Sequence, residues 1–294
     1  MLKRIDVEGQ RFITPTSDWG FKRLFATEMN KGLLIGLLNK IIEGPEIEDL
    51  YYLDREATLP TIGKEGTVRF DVYCERSDGS RVIVEMQKYA RRGFVDRVLV
   101  YTAAAILDGY DLMGNDYHID TTYCIAITGN TVFPEIAHAP VRLTLCDADS
   151  ATTRILNDKV LQIFIELPKF ANSVEELTPD DDFLSKFAVA LKTMGRSNER
   201  PEVMDDDLLV GLYKAADLRH YHPDEMQDYK EQIMNNLEYE ATLYDWKTEG
   251  FQEGKEEGKG EVKAEIAAMM KADGVPVEII AKYTGLDEKS IDSL

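Results

Sequence analysis

The chain has 294 residues, 44% of them hydrophobic, enough to bury one good core and carry an appendage. No stretch approaches the ~18 apolar residues of a membrane span, and the start, Met1-Leu2-Lys3-Arg4-Ile5-Asp6, has no apolar signal region; a cytoplasmic protein without membrane contact is expected. A net charge of −20 weighs against binding a polyanion, yet residues 1–130 carry 16 basic and 20 acidic side chains, so most of the acidity belongs to the second half.

In chain order, Thr14-Pro15-Thr16-Ser17 reads as a loop ending in helix caps. Phe21, Leu24, Phe25, Leu33, Leu34, Leu37, Leu38 and Ile41 then recur at three- and four-residue spacing, which predicts a helix from Asp18 to about Ile42. Asp18 and Lys22 sit one turn apart, a favourable helix-start acid and an exposed ion pair. Residues 49–59 read as a first strand carrying Glu56, a candidate edge-strand surface acid.

The stretch Val68 to Gln87, VRFDVYCERSDGSRVIVEMQ, alternates apolar and polar side chains in two runs, the mark of two half-buried strands. The turn is Ser77-Asp78-Gly79-Ser80. A three-residue loop with Gly79 left-handed faces Arg76 to Ser80 and sets Asp71 opposite Glu85; a two-residue Asp-Gly turn would pair Asp71 with Met86 and separate the acids. We expect the first register. Facing carboxylates repel, and a divalent cation removes the objection. Glu85 and Gln87 share a face, so Asp71, Glu85 and Gln87 would converge as two hard oxygen ligands for Mg2+, or alternatively Mn2+, with an amide beside them. An ordinary exposed strand shows the same alternation, and spacing alone leaves both readings open.

After the second acid comes a basic loop, Lys88-Tyr89-Ala90-Arg91-Arg92-Gly93, then a helix from Phe94 to about Asp108 with Arg97 and Tyr101 one turn apart. Basic side chains here suit a phosphate backbone or, equally, an ordinary solvated loop and helix face. Strands follow at residues 123–127 and 161–167. Cys74, Cys124 and Cys146 lie in apolar strand-like runs and are expected to be reduced core thiols. From about Asn172 the acidic groups 175–176, 180–182 and 205–207 read as caps and joints between short helices at 183–194 and 208–218. His220 and His222 have no third ligand at zinc spacing. Gly250, Gly254 and Gly258 mark a charged, weak helix or hinge, and residues 262–294 resemble a small helix-turn-helix whose last helix is too acidic for a DNA groove, favouring packing or partner binding.

An Asp ending one strand and a Glu-x-Gln on the next resembles the PD-(D/E)XK nuclease superfamily, most nearly its Rpn-like recombination-promoting nucleases, also labelled transposases. The likeness runs through Ser17-Asp18-Trp19-Gly20-Phe21-Lys22, Leu24 and Phe25; Phe70-Asp71; Val84-Glu85-Met86-Gln87; Phe94, Arg97 and Tyr101; the stretch 164–170; and the glycine-spaced tail. It implies an α/β, restriction-endonuclease-like mixed sheet flanked by helices, with a helical C-terminal region. The expected division is a nuclease-like core at 1–170, an acidic helical region at 171–249 and a tail at 250–294.

The resemblance further implies a Mg2+-dependent DNA endonuclease, with a recombination role and with Mn2+ as substitute ion. Asp71, Glu85 and Gln87 would be catalytic; Asp71 and Glu85, with Glu56 from the neighbouring strand, would hold the metal; Asp18 and Lys88 would be accessory; and Arg91, Arg92, Arg97 and Tyr101 would meet DNA. Gln87 departs from the usual lysine, because an amide can position water but carries no charge. The competing class is a nuclease-fold scaffold that binds nucleic acid or protein without cleaving. RNA as substrate and a homo-oligomeric state stay open.

Overall fold

The computed structural model describes residues 10–61, 64–90, 92–110, 118–147 and 155–294; the chain start and Arg91 lie outside them. Apolar runs too continuous for half-exposed strands build its centre. Strand β6 (Thr122–Thr128) buries every residue but Tyr123, and the end of β8 (Ile155–Glu166) is equally covered, as strands need when layers close both faces. With β1 (Leu50–Tyr52), β4 (Val72–Arg76), β5 (Arg81–Gln87) and β7 (Val141–Cys146), they form one six-stranded sheet in the order β1-β4-β5-β6-β8-β7. Strands β5, β6 and β8 run parallel; the remaining pairings are antiparallel.

A parallel pair needs a crossover, and α3 (Phe94–Gly109) supplies it between β5 and β6. Phe94, Val98 and Ala105 of α3 pack with Tyr73, Ile83, Cys124, Ala126 and Phe164, which share one face of the sheet. Val72, Cys74, Val82 and Val84, on the other face, are also fully buried. A separate two-stranded sheet, β2 (Glu56–Thr61) with β3 (Lys64–Arg69), precedes β4.

Four helices, α1 (Asp18–Phe25), α2 (Lys31–Ile41), α4 (Phe183–Thr193) and α5 (Asp207–Ala216), share an apolar cluster that includes Phe25, Leu37, Phe187 and Leu212. The acidic joints act as caps: Asp182 accepts from Ser185 N at 2.7 Å, and Asp206 from Leu208 N at 2.9 Å. The chain falls into two units, Met1–Lys230 and Glu231–Leu294, the division lying inside α6 (Pro223–Ala272). In the second unit, Ala267 of α6 packs with Ile280 of α7 (Val277–Thr284) and Ile291 of α8 (Glu288–Asp292). Among the described residues no helix is long and apolar enough to cross a membrane.

Several expectations about individual elements change. The helix expected over 18–42 breaks after Phe25, because Thr27 Oγ1 and Asn30 Nδ2 both donate to Arg23 O and end α1. The run from Val68 is two strands in two sheets, since Phe70 N turns away to Arg55 O. The strand expected over 49–59 is likewise divided between β1 and β2. Residues 171–230 lie in the first unit, where backbone bonds from Ile13 N to Ala216 O and from Leu218 N to Arg11 O join them to residues near its beginning; the division expected from the sequence is a separate matter. Cys74 and Cys124 are buried, whereas Cys146, on edge strand β7, is exposed.

Candidate active site

The turn after β4 decides which acids meet. Gly79 takes φ 83°, open to glycine at no steric cost, and Arg76 N donates to Ser80 O at 2.9 Å, closing the three-residue loop. The ladder then pairs Cys74 with Val82 and Val72 with Val84. One step further, Asp71 stands opposite Glu85, in the expected register.

At that step side chains replace the main-chain ladder. Glu85 Oε1 accepts from Asp71 N at 2.9 Å, and Asp71 Oδ2 accepts from Met86 N at 3.0 Å. Each carboxylate is thus held by the other strand's backbone, and neither can turn away without orphaning an N–H. The strands are not half-buried as expected: Glu85 is 3% exposed, because α3 covers this face. Burial pushes the Glu85 carboxyl up to about 8, with Asp71 adding to the shift against the Asp71 N–H, Arg97 and Lys22. Asp71 is raised as well, chiefly by burial, and held down by the Met86 N–H and Lys22.

Two cations answer the pair. From α1, Lys22 Nζ lies 3.4 Å from Asp71 Oδ1 and 2.5 Å from Asp18 Oδ1. From α3, Arg97 Nη2 donates to Glu85 Oε2 and Nη1 to Gln87 Oε1, each at 3.3 Å, while the guanidinium lies 4.8 Å from the centre of the Tyr101 ring. The other end of the Gln87 amide donates to Tyr89 O at 3.2 Å.

The structure therefore brings together Asp18, Lys22, Asp71, Glu85, Gln87, Arg97 and Tyr101. Glu56 is held elsewhere, in an exposed pair with Arg69 across β2 and β3, Arg69 Nε donating at 2.9 Å. Lys88 lies over the Tyr89 ring, 5.7 Å from its centre, and Arg92 is exposed just before α3. Arg91 lies outside the described residues.

Sequence reasoning missed the frame behind the site. Gln87, Thr128 and Glu166 align in one row where the three parallel strands end. Glu166 is fully buried, accepts from Val132 N and Phe133 N at 2.6 and 2.9 Å and is paired with Lys169. Asn130 Nδ2 donates to Ala90 O at 3.2 Å, anchoring the basic loop. Gly129 permits that approach, since a Cβ there would stand 2.2 Å from Lys88 O. The Thr128-Gly129-Asn130 turn after β6 was the available signal.

Among the described residues no group of three or more His, Cys, Asp and Glu is poised to hold a metal. The donor set is two carboxylates. It suits Mg2+, which takes one or two carboxylates, keeps waters and accepts phosphate oxygens. The buried like-charged pair, with Glu85 pushed towards its neutral form, also fits a site completed by a cation.

A family model described as a PD-(D/E)XK nuclease family transposase matches residues 15–244, which include every group placed at the site. No curated protein and no solved structure matches the chain.

Proposed function

Because the chain belongs to the PD-(D/E)XK nuclease family of transposases, we propose that it hydrolyses DNA phosphodiester bonds with a divalent ion held by Asp71 and Glu85. The observation that carries this is the reciprocal clamp of the two acids, a buried like-charged pair that each strand's backbone fixes in place. Mg2+ is the expected ion and Mn2+ its substitute; when bound, the ion supplies charge stabilisation and acidifies its water. The chain's own groups do the rest. Arg97, braced by Gln87 and the Tyr101 ring, offsets charge at Glu85, so Gln87 acts first on Arg97 and positions water with its remaining donor. Lys88 and Arg92, near the Ala90 carbonyl that Asn130 anchors, steer the phosphate backbone, and Arg91, adjacent in sequence, is assigned the same role. A cytoplasmic site of action and a part in DNA recombination go with this reading.

One observation favours a non-catalytic scaffold as the second reading: Lys22 and Arg97 already give each acid a partner. Nicking of supercoiled plasmid at low salt, in Mg2+, Mn2+ or EDTA, separates the two, with an RNA arm beside it. Ion-dependent nicking that disappears in Asp71→Asn, which keeps an acceptor for Met86 N, supports the nuclease. Equal results in EDTA and in metal would leave the scaffold.

A further inference from the structure

Position 87 holds a neutral amide whose oxygen accepts from Arg97 and whose nitrogen donates to Tyr89 O. The positive charge that faces the acids therefore comes from elsewhere, and only Lys22 and Arg97 among the described residues form ion pairs with them. The two are held differently. Arg97 has one terminal nitrogen on Gln87, the other on Glu85, and its guanidinium over the Tyr101 ring, so three groups brace it. Lys22 presents one ammonium on a flexible stem, shared between Asp18 and, at 3.4 Å, Asp71.

The base of that stem is fixed. Ser17 Oγ accepts from Gly20 N at 3.0 Å to cap α1, and Phe21, Leu24 and Phe25 are buried beside Lys22. Asp18, one turn earlier, holds the ammonium at 2.5 Å, and the Lys22 side chain is 24% exposed. With an ion held at Asp71, Lys22 would give up that carboxylate, and Asp18 would keep the ammonium at the site with donors to spare.

We propose that Lys22 supplies, from α1, the ammonium that the second motif lacks at Gln87, donating to the phosphate under attack, and that Asp18 is the residue that positions it. This rests on the nuclease reading. In the hydrolysis a water oxygen bonds to phosphorus and one phosphate ester P–O bond breaks; the water gives up a proton and the leaving oxygen gains one. Lys22 neither gains nor loses a proton. It stands against the negative charge that builds on the phosphoryl oxygens, a role whose removal costs about 100-fold in rate.

The test uses the full chain and reads Mn2+ affinity by calorimetry, plasmid nicking and thermal melting in wild type, Lys22→Met, Lys22→Arg, Asp18→Asn and Lys22→Met/Gln87→Lys. We expect Lys22→Met to cut nicking about 100-fold at saturating Mn2+ while Mn2+ binds several-fold more tightly, since a competing cation has left Asp71. Lys22→Arg should stay within about tenfold of wild type, and Gln87→Lys should restore at least tenfold of the lost rate. Asp18→Asn should slow nicking with Mn2+ affinity unchanged; weakened affinity would make Asp18 a metal ligand and overturn its assignment. Lys22→Met that nicks like wild type, or that melts lower and binds Mn2+ more weakly, overturns the role of Lys22 alone. A wild type that never nicks overturns the nuclease reading and this role with it.

Discussion

Two antiparallel pairs follow one another along the chain, and each sets a carboxylate opposite a charged or charging group. In β2–β3, Glu56 faces Arg69, opposite in sign and 50% and 72% exposed. Beside β4–β5, Asp71 faces Glu85, alike in sign, and Glu85 is almost wholly buried. The first is an arrangement any sheet surface tolerates. The second is costly, because burial penalises charge and each acid penalises the other. The molecule offsets that cost with two main-chain donors and two cations drawn from separate helices. Such an arrangement is hard to account for as surface decoration, and that difference separates a candidate ligand pair from an acid that merely lies nearby in sequence.

The widest separation between the two pairs should be in cleavage. Asp71→Ala and Glu85→Ala are expected to lower ion-dependent nicking by about 1000-fold or more, because the ion loses half of its protein ligands. Glu56→Ala should leave the rate within about twofold, since its carboxylate is held by Arg69. A comparable loss in Glu56→Ala would return Glu56 to the metal site and dissolve the contrast.

Next in size is a pH effect that only the buried pair should show. The Glu85 carboxyl sits at about 8 in the folded chain, above its ordinary 4.5, so it contributes stability below pH 4.5 that is lost as pH rises through about 8. Without divalent ions the wild type should therefore weaken across that window, and Glu85→Gln, which keeps the acceptor but does not ionise, should not. Above pH 8 we expect Glu85→Gln to be the more stable by about 2–4 kcal/mol in denaturant titrations, with saturating Mg2+ narrowing the gap from the wild-type side. Because the ion must displace a proton below pH 8, its affinity should climb between pH 6 and 8, and a flat calorimetric profile would remove the buried acid from the ligand set.

Particular residues show how much of this could be read from sequence. The Asp71–Glu85 register was legible as one of two, because Asp78-Gly79 supplies the positive φ that either loop needs, while the bond from Arg76 N to Ser80 O that fixes the loop length shows only in the structure. The caps at Asp182 and Asp206 were legible for the same reason. Burial of the hairpin on both faces was not, since it depends on α3 folding back over Tyr73 and Ile83. Nor was the break at Phe70, where continuous alternation conceals a change of sheet. Asp18 and Lys22 could be paired from spacing alone, but the 3.4 Å approach of Lys22 to Asp71 spans 49 residues of chain and needs the tertiary structure. The strand-like run at Cys146 was legible but its exposure was not, since it depends on β7 lying at the edge of the sheet, where Arg142, Leu145 and Cys146 are exposed.

The smallest expected effect tests the other side of the contrast. Glu56 and Arg69 are paired in β2–β3 with both side chains largely in solvent, so their mutual attraction is screened and opposed by the entropy of holding two long side chains. A double-mutant cycle of Glu56→Ala and Arg69→Ala should give a coupling of about 0.5 kcal/mol or less, fading in 1 M salt. The same cycle on Glu85 and Arg97 should give a larger coupling that resists salt, because Glu85 is out of reach of the ions that screen Glu56. Equal couplings would mean that burial does not set the two apart, and the case for Asp71 and Glu85 as a site would then rest on the family alone.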